Sequence, residues 1–224
     1  MILAAGKGER MRPLTDHTPK PLLRVAGKTL IEHHIGKLVS AGFHELVINV
    51  SWLGEQIEAF LGDGSAFGCA ISWSREASPL ETAGGIIQAL PLLGEAPFAV
   101  VNGDIWTDYP VQQLRQRDLP AGQLAHLVMT DNPPQHPLGD FEITAAGKAQ
   151  ARQSEGSACY TYTGLGVYEV GFFAGRQPGV LPLRPLLDAG MAAGQVGAEY
   201  YPGRWFDVGT PQRLTELDAL LGLH

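Results

Sequence analysis

The stretch Leu3-Ala4-Ala5-Gly6-Lys7-Gly8-Glu9-Arg10-Met11-Arg12-Pro13-Leu14-Thr15, continued by Pro19-Lys20-Pro21-Leu22, decides how the chain is read. Residues 1–5 form an apolar run of strand length, and glycines directly after a strand let backbone N–H groups approach a phosphate closely. Lys7, Arg10, Arg12 and Lys20 gather positive charge there, although the chain as a whole is acidic. The pattern predicts an anion site at a strand-to-loop junction. Two commoner phosphate loops fail on spacing: a dinucleotide fingerprint needs glycine where Met11 stands, and Gly27-Lys28-Thr29 lacks the earlier glycine of a Walker A loop.

Outward from that loop, short apolar runs alternate with helical patterns, as parallel strands joined by helices require. Strands are predicted over 45–50, 70–73 and 98–102, and helices over 29–41, 54–61 and 82–92. In the first helix Ile31, Ile35, Leu38 and Val39 share a face, and Gly42 ends it. His33 and His34 are adjacent, so they do not share a helix face and make a poor metal pair. The second half is more mixed, with strands over 124–130 and 161–169 and a short antiparallel piece over 141–144. Helices over 183–193 and 211–221 close it, the last with Thr210 as N-cap and Pro211 in the first turn. The expected fold is α/β: one domain over 1–224 built on a doubly wound, mostly parallel, Rossmann-like mixed sheet with helices on both faces. Ligands in such sheets bind beyond the carboxyl ends of strands, which singles out residues 6–12 and Gly103-Asp104.

Composition narrows the partners. The 224 residues are 45% apolar and 17% charged, an ordinary globular balance that supports a core without disulfides or structural metal. A net charge of −7 leaves no basic field for a nucleic-acid polymer. Cys69 and Cys159 lie far apart in neither metal nor redox spacing and read as reduced, buried thiols, which favours the cytoplasm. No apolar run reaches the roughly 18 to 20 residues of a membrane span, and the chain opens on a strand rather than a signal peptide. A soluble, cytoplasmic protein, monomeric or weakly homo-oligomeric, is expected.

These motifs resemble those of the sugar-1-phosphate nucleotidyltransferases, whose signature reads L-A-A-G-x-G-T-R-L-x-P-L-T and then P-K-P-L. The likeness continues at Asn102-Gly103-Asp104 and at Phe206-Asp207-Val208-Gly209-Thr210-Pro211, so it spans nearly the whole chain. It implies that a sugar 1-phosphate oxygen attacks the α-phosphorus of a nucleoside triphosphate and pyrophosphate leaves. Two anions must then meet, and at 4 Å an effective dielectric near 20 leaves about 4 kcal/mol of repulsion per pair of unit charges. The resemblance assigns Asp104 and Asp207 to Mg²⁺, and Arg10 and Lys20, with Asp104, to catalysis. It implies nucleotide contacts from Leu3, Ala4, Ala5, Gly6, Gly8, Glu9, Arg10, Lys20, Thr82, Gly84 and Asn102. Sugar contacts would come from Asn102, Asp140, Thr163, Gly164 and Trp205, with residues 1–110 forming the nucleotide half and 111–224 the sugar half.

The chain departs from the pattern in three places. Glu9 stands where the family has Thr, and its carboxylate is expected to turn outward from the triphosphate. Glu81 replaces the first glycine of G-T-A-G, where Thr82 also reads as a helix N-cap. An E-K-P motif that carries the lysine for the sugar phosphate is absent near Arg152-Gln153-Ser154, leaving Arg152 or Arg204 as substitutes. The G-E-R-M-R-P variant, the E-T-A-G-G loop and the lack of a carboxyl-terminal extension look most like the short bacterial N-acetylmuramate 1-phosphate uridylyltransferases. Mannose 1-phosphate guanylyltransferases resemble it nearly as well, and a non-catalytic nucleotide-sugar sensor is the reading from another class.

Overall fold

A computed structural model describes residues 1–154 and 156–222. The first half runs β1 (Ile2–Leu3), β2 (Arg24–Val25), β3 (Lys28–Thr29), α1 (Leu30–Ser40), β4 (Glu45–Val50), α2 (Gly54–Leu61), β5 (Ala70–Arg75), α3 (Glu81–Leu93), β6 (Phe98–Asn102), β7 (Ile105–Thr107) and α4 (Gln112–Arg115). The second runs β8 (Ala125–Thr130), β9 (Phe141–Ile143), β10 (Ala149–Gln150), β11 (Cys159–Tyr168), α5 (Arg184–Ala192), β12 (Val196–Tyr200), β13 (Trp205–Asp207) and α6 (Pro211–Gly222).

The main sheet is ordered β5-β4-β1-β6-β11-β8-β12, with the β9–β10 hairpin on the start of β11. β5, β4, β1 and β6 are mutually parallel. β11 enters antiparallel to both β6 and β8, and β12 returns parallel to β8. The sheet is therefore doubly wound and mixed, as the sequence implies. Strand alternation divides the core: Phe98 and Val100 of β6 face one apolar cluster with Ile86 of α3 and Leu187 of α5, while Ala99 and Val101 face another with Ile35 of α1 and Ile57 of α2. A third cluster joins Met11 of the first loop to Leu30, Trp106, Val208 and Leu217, tying that loop to α6.

Local chemistry accounts for the element boundaries. Thr29 caps α1 through a capping box with Glu32, and the Arg213 N–H reaches the Thr210 hydroxyl at the start of α6. β4, α2 and β6 fall on the predicted residues. β1 is shorter than the predicted 1–5, because the Ala4 N–H bonds the Asn49 side chain instead of a neighbouring strand. Thr82 is not an N-cap: α3 starts one residue earlier, with Leu80 in the capping position. β12 was not predicted, since Val-Gly-Ala-Glu-Tyr carries too little apolar pattern to stand out, and β2, β3, β7, β10 and β13 are two or three residues each. Among the described residues no helix is long and apolar enough to cross a membrane. Cys69 and Cys159 are free and buried.

Candidate active site

A cavity of about 690 Å³ opens where the parallel strands β1, β4, β5 and β6 end. Leu3, Ala4, Ala5, Gly6, Gly8, Glu9, Arg10, Lys20, Thr82, Asn102 and Asp104 all line it, together with Lys7. Gly8 takes φ +64° at the start of a 3-10 turn over Glu9–Met11, and the Thr15 hydroxyl donates to its carbonyl at 2.8 Å. Met11 is fully buried, so the turn is anchored at one end while Glu9 and Arg10 stand exposed on the cavity wall. Glu9 is thus part of the lining.

Lys20 follows Pro19 in a further 3-10 turn, and its ammonium is buried, with 8% of the side chain exposed. A buried cation needs a partner, and Nζ donates to Asp104 Oδ2 at 2.9 Å. Asp104 reaches that position because Gly103 lets β6 run tight against β1. A Cβ on Gly103 would stand 2.5 Å from the Leu3 carbonyl oxygen, which instead accepts the Gly103 N–H at 2.8 Å.

The second predicted carboxylate arrives from the far end of the chain. β13 pairs antiparallel with β7, setting Asp207 opposite Ile105, and the Val208 N–H donates to the Asp104 carbonyl at 2.9 Å. The backbones of the two aspartates are therefore brought together at the end of one small ladder. Asp207 accepts from Arg213 at 2.6 Å and lies beneath Gly209, which lines the cavity although Asp207 does not. Among the described residues no group of three His, Cys, Asp or Glu could hold a metal alone. Two carboxylates fit an ion such as Mg²⁺, which keeps positions for phosphate and water. His33 bonds the Val25 carbonyl, and burial pushes the pKa of His34 down to about 4, so neither histidine takes part.

A buried polar strap beneath this cavity has no counterpart among the predicted residues. Asn49 Oδ1 accepts from the Ala4 N–H at 2.8 Å, Asn49 Nδ2 donates to Glu76 Oε1 at 2.7 Å, and Glu76 Oε2 accepts from the Leu80 N–H at 2.9 Å. Asn49 and Glu76 are 3% and 6% exposed, so the strap that joins the first loop to the loop before α3 is largely buried in the cavity wall. A Cβ on Gly85 would lie 2.6 Å from Glu76 Oε1, so the E-T-A-G-G glycine pair makes room for it. A lone Asn in β4 and a lone Glu after β5 carry no signal until the fold brings them together.

On the loop itself, Glu81 adopts φ +62°, a left-handed conformation that glycine takes without strain. Gly84 does not reach the cavity. It is buried against 179–181, where a Cβ would stand 2.1 Å from the Gly179 carbonyl oxygen, and its N–H donates to Leu181.

The predicted sugar residues are dispersed. Asn102 lines the main cavity, and Gly164, at φ +82° in an irregular stretch of β11, packs directly on its side chain. Thr163 is 1% exposed and its hydroxyl donates to the Val128 carbonyl at 2.7 Å, so that hydroxyl holds β11 to β8. Trp205 is half-buried against the core and donates its indole N–H to the Thr163 carbonyl at 2.9 Å. Asp140 accepts from the Tyr162 N–H at 2.8 Å and borders a separate cavity of about 330 Å³ with Arg152. Arg204, the other candidate for the missing lysine, is bound to Asp108 and borders neither cavity.

Residues 1–222 match the family described as nucleotidyl transferase. An N-acetylmuramate alpha-1-phosphate uridylyltransferase of Neisseria meningitidis serogroup B is 51% identical, with 99% of this chain and 97% of that protein aligned. A protein of the same name from Caulobacter vibrioides is 35% identical over 99% of this chain and 96% of its own length. A Bacillus anthracis crystal structure in complex with a sucrose superposes with a TM-score of 0.87 at 21% identity, covering 99% of this chain and 94% of that one.

Proposed function

The chain belongs to the nucleotidyl transferase family, and we propose that it joins UTP to N-acetylmuramate 1-phosphate, releasing pyrophosphate and leaving UDP-N-acetylmuramate. The observation that carries this reading is the buried Lys20 paired with Asp104 at the foot of a glycine-loop cavity. The full-length similarity to two proteins named for that substrate supports the choice of sugar and base.

The residues divide the work by charge. Backbone N–H groups of residues 6–10 and the Arg10 guanidinium hold the triphosphate, the fork of arginine matching two phosphate oxygens. Lys20 acts as a point charge beside the α-phosphorus and screens the departing pyrophosphate. The attacking phosphate is already ionised, so rate depends on positioning and neutralisation rather than on a general base. Asp104 and Asp207 would hold Mg²⁺, which when bound supplies positive charge between the two anions. Asn49 and Glu76 keep the Ala4 and Leu80 backbones at fixed separation, so the base enters a preset slot. This reading assigns the chain to peptidoglycan recycling in the cytoplasm.

Pyrophosphate release, followed with each nucleoside triphosphate against several sugar 1-phosphates, tests it. Turnover with UTP and N-acetylmuramate 1-phosphate is expected, and its loss on adding EDTA with recovery on excess Mg²⁺. Silence with every pair would overturn the activity. Turnover confined to GTP and mannose 1-phosphate would overturn the substrate pair.

A further inference from the structure

The smaller cavity, about 330 Å³, is bordered by His136, Pro137, Leu138, Asp140, Arg152 and Arg184. Resting on the substrate reading above, we propose that it receives the lactyl ether of N-acetylmuramate, with Arg152 and Arg184 on its carboxylate, and so sets the sugar specificity.

Position comes first. The cavity and the nucleotide site lie along the same strand: Asp140 is bonded to the Tyr162 N–H of β11, and Gly164, two residues on, packs against Asn102 of the main cavity. At ~3.3 Å of rise per residue, that offset is about 7 Å. A hexose whose 1-phosphate faces Asn102 and Asp104 would carry its substituent on the far side of the ring toward this second cavity.

The chemistry of the walls matches a lactyl group. Arg152 is anchored by its Nε on the Cys159 sulfur at 3.3 Å and by a terminal nitrogen on the Leu138 carbonyl, which fixes the guanidinium plane at the cavity edge. Arg184 lies over the Phe141 ring, its guanidinium carbon 4.5 Å from the centroid. Two arginines suit a carboxylate because each offers paired N–H donors. Asp140, the one carboxylate bordering the cavity among the described residues, already accepts from the Tyr162 N–H and from His136 at 3.1 Å. Pro137 and Leu138, the latter 64% exposed, give the lactyl methyl an apolar wall.

Helix chemistry does not account for Arg184. It opens α5, where the helix dipole disfavours a cation, and its pairing with Asp188 at i,i+4 runs in the less favourable sense, basic residue first. A residue that breaks local rules beside a cavity is expected to serve what enters the cavity.

The test compares N-acetylmuramate 1-phosphate with N-acetylglucosamine 1-phosphate, which lacks only the lactyl group, each with UTP and Mg²⁺. Wild type is expected to prefer the first. In Arg152→Gln, Arg184→Gln and the double variant, the ratio of kcat/KM values is expected to fall about 10- to 100-fold, chiefly through KM. Thermal unfolding of each variant at the wild-type temperature would show that the fold is kept. A ratio within twofold of wild type in the folded double variant overturns the proposal and leaves the substrate reading standing. A wild type without preference between the two sugars also overturns it, and a wild type that turns over neither overturns both.

Discussion

The two cavities of this protein are made of different material. The larger gathers a glycine loop at the ends of four parallel strands, where backbone N–H groups stand beside one buried lysine paired with an aspartate. The smaller is walled by side chains from the loop before β9, the stretch after β10 and the first turn of α5. A backbone cradle grips any polyphosphate with little regard to side-chain identity, whereas a side-chain pocket changes its preference with one substitution. On the proposed reading, chemistry and selectivity reside in separate halves of one sheet.

The sharpest way to break that division is Asp104→Asn. It leaves Lys20 without a charged partner and removes one of the two carboxylates proposed to hold Mg²⁺, so turnover is expected to fall roughly 10²- to 10³-fold or more in a pyrophosphate-release assay while the protein stays folded. Unchanged turnover would remove Asp104 from the reacting centre, and ligand binding without turnover in the wild type would return the chain to the sensor reading.

Glu76→Ala probes the strap beneath the larger cavity. It strands the Asn49 amide and the Leu80 N–H, which is expected to lower stability by about 2–3 kcal/mol in urea unfolding and to raise KM for UTP.

A third measurement asks whether the second half has its own electrostatic support. Burial works to raise the pKa of Glu199, but the nearby His126, Tyr109 and Arg117 outweigh it and hold the value at about 2, below the ordinary 4.5. A carboxylate depressed on folding adds stability above its unfolded pKa and loses it as pH falls toward the folded value. Stability is therefore expected to decline between about pH 4.5 and 2. Glu199→Gln should flatten that decline and cost on the order of 2 kcal/mol at neutral pH.

The smallest effect expected is that of Thr163→Val. Its hydroxyl donates to the Val128 carbonyl and accepts from the Leu165 N–H, so the variant should lose about 1–2 kcal/mol of stability with KM for the sugar phosphate nearly unchanged. A large rise in KM would restore Thr163 as a sugar contact.

The same contrast explains what could be read beforehand. Glycines after β1, Lys20 between prolines and Asp104 after Asn-Gly are local patterns whose chemistry does not depend on distant partners, and each lines the predicted cavity. Asn49 and Glu76 have meaning only once β4 and β5 lie side by side. Gly84 reads as a ligand glycine but is required by the Gly179 backbone. Thr163 and Asp140 sit in or near a strand whose irregular register between Tyr162 and Leu165 decides which way side chains point, and a sequence pattern with period two cannot foresee that shift. β12 stayed hidden for want of apolar alternation.

β11 bonds to β6 and to β8 along its two edges and to β9 at its start, and β13 pairs with β7, so strands of the second half are stitched into the first at two places. A fragment ending near residue 110 would leave β6 with an open row of N–H and C=O groups, a template for aggregation. The halves can differ in task, yet neither is a module to be cut out and grafted elsewhere.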